Sequence, residues 1–177
     1  MSKSCVSKET VIECLNKGHE RGVFDSGVDA LNRYITEMAL QHQAKDISKT
    51  HVLTFKGGPG SILAYVTLSV TTISTQGNEN HAGFKKLPRN IPALRLCRLA
   101  VDTEYQGKRI GSHLIAFVFS KAIDLSDVAG CAGIIVDAKD ESARRFYEGF
   151  GFQSLTTDPM TLFLPMATVQ GLIECSQ

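Results

Sequence analysis

The chain has 177 residues, 43% of them hydrophobic and 21% charged, with a formal net charge of +1. That length allows one full core and is short for two domains, and the ordinary composition excludes wholesale disorder. A net charge this close to zero argues neither for nor against a nucleic-acid partner.

Five cysteines, at Cys5, Cys14, Cys97, Cys131 and Cys175, form an odd set with no Cys-x-x-Cys pair. They read as reduced thiols of a cytosolic protein, not as a disulfide framework or a zinc site. The first ten residues, MSKSCVSKET, lack an apolar segment of the signal-peptide kind. The longest apolar run, Ser61 to Ile73, is interrupted by serines and threonines and is too short to span a bilayer. The expectation is a soluble, cytoplasmic chain without a membrane.

In chain order, Glu9 to Leu15 reads as a first strand. Asp25 or Ser26 is suited to cap the helix that follows, because their side-chain oxygens accept free first-turn N–H groups. Val28, Leu31, Ile35, Met38 and Ala39 recur at three- and four-residue spacing and give that helix an apolar stripe. Strands at 51–56 and 61–73 flank Gly57-Gly58-Pro59-Gly60. That join lacks the Gly-Lys-Ser/Thr ending of a phosphate loop and reads as a tight hairpin. Residues 75–92 form a polar loop longer than usual, which suggests a functional or mobile segment.

A strand at 94–101 then feeds Gln106-Gly107-Lys108-Arg109-Ile110-Gly111 and an apolar helix to about Leu125. A strand at 133–137, a helix at 140–150 and strands near 152–157 and 161–166 follow. No repeat or linker interrupts residues 1–177, so one α/β domain with a mixed sheet is the prediction. A glycine-bearing turn between a strand and a helix N-terminus offers unpaired N–H groups and a favourable dipole to phosphate oxygens. Between Lys85 and Arg109 lie seven basic residues against two acidic ones, so charge concentrates around this turn. On the helix at 140–150, Ala143, Phe146, Tyr147 and Phe150 share an apolar face. That spacing alone favours Tyr147 as a core aromatic over a proton-handling group.

These residues match a known pattern. The chain resembles the GNAT N-acetyltransferases, whose acetyl-CoA turn reads Gln/Arg-x-x-Gly-x-Gly/Ala and is represented here by Gln106 to Gly111. It departs from the pattern at Arg109, where the family usually has glycine. An arginine in a right-handed helical first turn would keep the cradle intact. FDSGVDALNRYI (24–35), LCRLAVD (96–102), VDAKDESARRFYEGFGF (136–152) and MTLFLPM (160–166) resemble the acetyltransferase toxins of bacterial toxin–antitoxin modules.

The resemblance implies the GNAT fold: a mixed, mostly antiparallel sheet splayed between two parallel strands and flanked by helices. It implies acetyl-CoA as cosubstrate, held by the main chain of Leu99, Ala100 and Val101 and by Gln106, Gly107, Lys108, Arg109, Ile110, Gly111 and Ser112. Ala143 and Phe146 join that set. It makes Tyr147 the catalytic residue, a proton donor to the departing thiolate. No metal is implied, and no general base stands out among the scattered histidines. The implied acceptor is the α-amine of aminoacyl-tRNA. Lys85, Lys86, Arg89, Arg95, Arg98, Arg144 and Arg145 are the candidate RNA contacts. Arg95 and Arg98, three apart on one strand, point to opposite faces. A small ribbon-helix-helix antitoxin and a homodimer are the implied partners. Alternatives are an acetyltransferase acting on a small amine, a peptide or a protein N-terminus, and a non-catalytic acyl-CoA-binding module.

Overall fold

The computed structural model describes residues 9–175. Among these, seven strands form one mixed sheet in the order β1-β2-β3-β4-β5-β7-β6. The strands are β1 (Thr10–Cys14), β2 (Lys49–Phe55), β3 (Ala64–Ser74), β4 (Asn90–Val101), β5 (Gly133–Asp137), β6 (Gln153–Ser154) and β7 (Thr161–Pro165). The helices are α1 (Asp29–Arg33), α2 (Ala39–Ala44), α3 (Ile110–Val128), α4 (Glu141–Glu148) and α5 (Met166–Glu174). β4 and β5 run parallel from Leu94↔Ile134 to Leu96↔Val136, while β1–β2, β5–β7 and β6–β7 are antiparallel. The sheet class and its parallel pair are those the resemblance implied.

Contacts divide the chain into two compact units. One holds the residues up to Thr67 with Arg98–Leu114, and the other Leu68–Cys97 with the residues from Ile115 on. In the first, Phe24, Tyr34, Ile35, Val52, Ile62, Tyr65 and Ala100 form a buried cluster, with Leu31 and Leu40 against it. In the second, Ile73, Phe84, Ile91, Ala93, Ile135, Leu155 and Phe163 form another. β5 shows why its sequence reads as an unbroken apolar run. It lies inside the sheet and all of Gly133, Ile134, Ile135 and Val136 are buried, so neither face calls for polar alternation.

Three local expectations need correction. Neither Asp25 nor Ser26 caps α1; its N-cap is Val28, without a side-chain cap bond. Both residues instead fold the preceding loop, as Asp25 Oδ1 accepts from Gly27 N at 2.8 Å and Ser26 Oγ from Val28 N at 3.3 Å. The apolar stripe of the first helix holds at Leu31, Ile35 and Ala39 and fails at Met38. Residues Tyr34–Met38 form a π-helical turn, whose extra residue per turn places Met38 in solvent (42% exposed) and leaves Tyr34, Ile35 and Ala39 buried. Finally, the long loop after β3 is packed. Phe84 is buried against Phe163, with ring centroids 4.8 Å apart, and Asn78 Nδ2 donates to Thr157 Oγ1 at 3.0 Å. β4 begins at Asn90, earlier than the 94–101 reading, and α5 was not foreseen.

A candidate acetyl-CoA turn and a buried tyrosine

After Val101 the chain makes a single 3-10 turn (Thr103–Tyr105) and enters α3 through Gly107-Lys108-Arg109. Arg109 O accepts from His113 N at 3.2 Å, the first bond of the helix, so Arg109 is its capping residue. Among the described residues, none of the six N–H groups from Gly107 to Ser112 donates to a protein acceptor. They stand in sequence at the N-terminus of a 19-residue helix. A row of free donors at the positive end of a helix dipole suits a pyrophosphate. Space is available too, since nothing lies within 4 Å of where a Cβ on Gly107 would sit.

The backbone there is left-handed at two residues, Gly107 with φ +76° and Arg109 with φ +61°. This overturns the expectation of a right-handed Arg109. The position asks for the glycine that the family pattern has, and an arginine carries a steric cost of roughly 1–2 kcal/mol there. Arg109→Gly should therefore raise unfolding stability by about 0.5–1 kcal/mol, because the relief is partly offset by the freer unfolded chain. It should also weaken acetyl-CoA binding by removing an exposed cation from the turn. Denaturant unfolding and ligand titration on one preparation check both signs.

Gln106 does not offer its side chain to a ligand. Its Nε2 donates to Ser26 O at 3.0 Å and Val101 O at 2.9 Å. Asp102 N donates to Leu63 O at 2.9 Å, just before β3. Because backbone polar groups alternate along a strand, those of Leu99 and Val101 point away from β3 and those of Ala100 toward it. Of the three, Leu99 with the Val101 N–H is the pair fit for an added-strand contact. Lys108 Nζ sits 5.1 Å from the Tyr105 ring centroid, which engages its charge.

In the second unit, Asp140 caps α4 by accepting from Ala143 N at 2.8 Å, so the Ala143 N–H is already satisfied. Tyr147 is 7% exposed. Its ring meets Phe146 and Phe152 edge-on, at 5.3 and 5.7 Å between centroids. Phe146 is half-buried, and its ring also meets Phe150 at 5.1 Å. The Tyr147 hydroxyl has no hydrogen-bond partner among the described residues. Burial pushes its pKa up to about 12. An apolar setting penalises the phenolate, so this group stays a proton donor at every physiological pH. The hydroxyl is not one of the fully buried unpartnered polar atoms among the described residues, so it reaches the surface from an otherwise buried ring.

The seven candidate RNA contacts divide. Arg95 is ion-paired with Asp137, and Arg98 lies 3.6 Å from the Tyr34 ring centroid. Arg89 donates to Gln76 Oε1 at 2.6 Å, and Arg144 bridges Glu141 at 3.4 Å and Glu148 at 3.1 Å. Lys85, Lys86 and Arg145 are exposed and have no ion pair among the described residues. Sequence spacing could not show that Arg89, Arg95 and Arg98 are engaged, because their partners come from other parts of the chain, whereas Arg144 meets acids on its own helix. Cys14, Cys97, Cys131 and Cys175 are free thiols, and Cys5 lies outside the described residues. Among the described residues no cluster of His, Cys, Asp and Glu is placed to hold a metal, and no helix is long and apolar enough to cross a membrane.

Comparison with known proteins agrees with this geometry. The "Acetyltransferase (GNAT) domain" family model matches residues 59–154. A tRNA-acetylating toxin of Mycobacterium tuberculosis is 31% identical over 150 residues, covering 85% of this chain and 88% of that protein. The solved structure of AtaT complexed with acetyl-methionyl-tRNAfMet matches with a TM-score of 0.86 at 28% identity, covering 93% of this chain and 99% of the other. A tyrosine-to-phenylalanine variant of AtaT, bound to acetyl-CoA and the C-terminus of the antitoxin AtaR, matches with a TM-score of 0.80 at 27% identity. It covers 94% of this chain and 99% of that one. With the family model spanning more than half of its length, the chain belongs to the GNAT acetyltransferases.

Proposed function

We propose that this protein transfers the acetyl group of acetyl-CoA to the α-amine of an aminoacyl-tRNA and thereby stops translation. The observation that carries the acceptor class is the match, along 93% of this chain, to AtaT in complex with an acetylated methionyl-tRNA. The row of six free N–H donors supports the cofactor, since it fits a pyrophosphate and has open space beside it. Residues 1–177 are taken as one catalytic domain.

Acetyl-CoA, when bound, supplies an activated thioester. The main chain from Gly107 to Ser112 would hold its pyrophosphate, with Arg109 adding charge, and Leu99 and Val101 would align the pantetheine arm. In the transfer, the amine nitrogen forms a bond to the acetyl carbon while the carbon–sulfur bond breaks. The Tyr147 hydroxyl donates a proton to the departing sulfur and recovers one from solvent, and the amine releases its own proton. A free α-amine has a pKa of about 7.7–8.0, lowered further when its carboxyl is esterified, so much of it is neutral without a dedicated base. Lys85, Lys86 and Arg145 are the side chains best placed to meet tRNA phosphates.

The partner expected beside it is a ribbon-helix-helix antitoxin, with the toxin itself a homodimer in the cytoplasm. A second reading, a small-amine acetyltransferase, is favoured by one observation: Arg89, Arg95, Arg98 and Arg144 are engaged within the chain. A reconstituted translation system decides between them. Adding the protein should halt synthesis only when acetyl-CoA is supplied. Undiminished synthesis with folded protein and acetyl-CoA would overturn the aminoacyl-tRNA reading and favour the small-amine one.

A further inference from the structure

The turn that carries the free donors cannot hold its own shape. No N–H from Gly107 to Ser112 has an acceptor among the described residues, and two of its residues are left-handed. On its far side α3 fixes it. On its near side a closed set of hydrogen bonds ties it to the segment from Phe24 to Asn32.

Asp102 is nearly buried at 9% exposure. Its Oδ1 accepts from Glu104 N and its Oδ2 from Asp25 N, each at 3.0 Å. Asp25 O accepts from Thr103 N at 2.8 Å. Asp25 Oδ1 accepts from Asn32 Nδ2 at 2.9 Å, and Asn32 Oδ1 accepts from both Ser26 N and Ser26 Oγ at 2.8 Å. The ring closes where Gln106 reaches Ser26 O while also holding Val101 O. Each side chain matches its partners in donor and acceptor type. Asp102 faces two donors, Gln106 faces two acceptors, and Asn32 uses its oxygen and its nitrogen on different neighbours.

We propose that Asp102, Gln106 and Asn32 are positioning residues for the cofactor, clamping the Gly107–Arg109 turn to the Phe24–Asn32 segment and so setting how tightly its phosphates are held. This rests on the acetyl-CoA assignment above. None of the three side chains needs to touch the ligand. A turn presenting donors in a fixed arrangement binds without first ordering itself, and a turn released from its clamp loses that advantage. Asn32 is the most telling member, because it belongs to α1 and makes no bond to the turn itself.

The test uses three near-isosteric variants, Asp102→Asn, Gln106→Met and Asn32→Asp, with calorimetric titration of acetyl-CoA and steady-state kinetics. Each should weaken acetyl-CoA binding by roughly five- to tenfold, the worth of one or two lost or opposed hydrogen bonds. The KM for acetyl-CoA should rise in step, with kcat at saturation unchanged. S-acetyl-pantetheine lacks the pyrophosphate, so the loss of kcat/KM with it as acetyl donor should be several-fold smaller in each variant than the loss with acetyl-CoA. A merely structural role predicts equal losses with both donors, and that result would overturn the clamp. So would folded variants that bind acetyl-CoA as tightly as the wild type. Gln106 is exposed, so Gln106→Met keeps the test open if Asp102→Asn fails to fold. A wild type that binds no acetyl-CoA would instead remove the cofactor assignment and the clamp together.

Discussion

Replacing Tyr147 by phenylalanine should lower turnover by roughly 10²–10⁴-fold, the usual worth of a positioned proton donor. Stability should change little, because the hydroxyl has no partner among the described residues to lose. Acetyl-CoA affinity should also persist, since the proposed phosphate and pantetheine contacts are main-chain groups. The pH profile gives an independent check. With its pKa pushed up to about 12, the phenol is protonated at neutral pH and loses that form only as the pH approaches 12. The rate should therefore rise as the acceptor amine deprotonates, at or below about pH 8, with no falling limb below roughly pH 10. A variant with full activity would make Tyr147 a packing residue and leave the chain without a named catalytic group.

Gly133→Ala should have the largest effect on stability. A Cβ at this position would lie 2.2 Å from Leu164 O and 2.5 Å from the Phe163 ring. Both atoms belong to β7, which is paired with β5 through Gly133↔Pro165 and Ile134↔Leu164. A backbone oxygen cannot swing aside as a flexible side chain can, so the ladder or the ring must shift. Overpacking of this kind typically costs about 1–3 kcal/mol, and a backbone clash in the middle of a sheet belongs at or above the upper end. Urea unfolding of the two proteins would measure it. A loss below about 1 kcal/mol would mean that β7 relaxes far more easily than its buried Leu162-Phe163-Leu164 run suggests.

The element order was largely legible because β3, β5 and β7 are apolar runs bounded by turn residues, and α3 and α4 carry clear helical spacing. The donor turn was legible from Gly107 and Gly111. Its conformation was not, because a sequence pattern gives the residue at Arg109 and not the sign of its φ. The π-helical turn at Tyr34–Met38 misled a 3.6-residue period at Met38, which it turns into solvent while Ala39 stays in the core. The clamp was partly visible: Asp25 and Ser26 stood in the sequence as capping candidates. Their partners Asp102 and Gln106 lie 77 and 80 positions away, and local pattern carries no information about such pairs. The long-range partners of Arg89, Arg95 and Arg98 were illegible for the same reason. The spacing of Arg95 and Arg98 puts them on opposite faces, but does not show that one meets a carboxylate and the other an aromatic ring.

Acetyl transfer from radiolabelled acetyl-CoA to purified aminoacyl-tRNA tests the central claim most directly, with the same tRNA deacylated as the control. Label should appear on the charged tRNA alone, and mild alkaline release should return it as an N-acetyl-amino acid. Label on the deacylated tRNA, or none on any charged tRNA while small amines are acetylated efficiently, would contradict it.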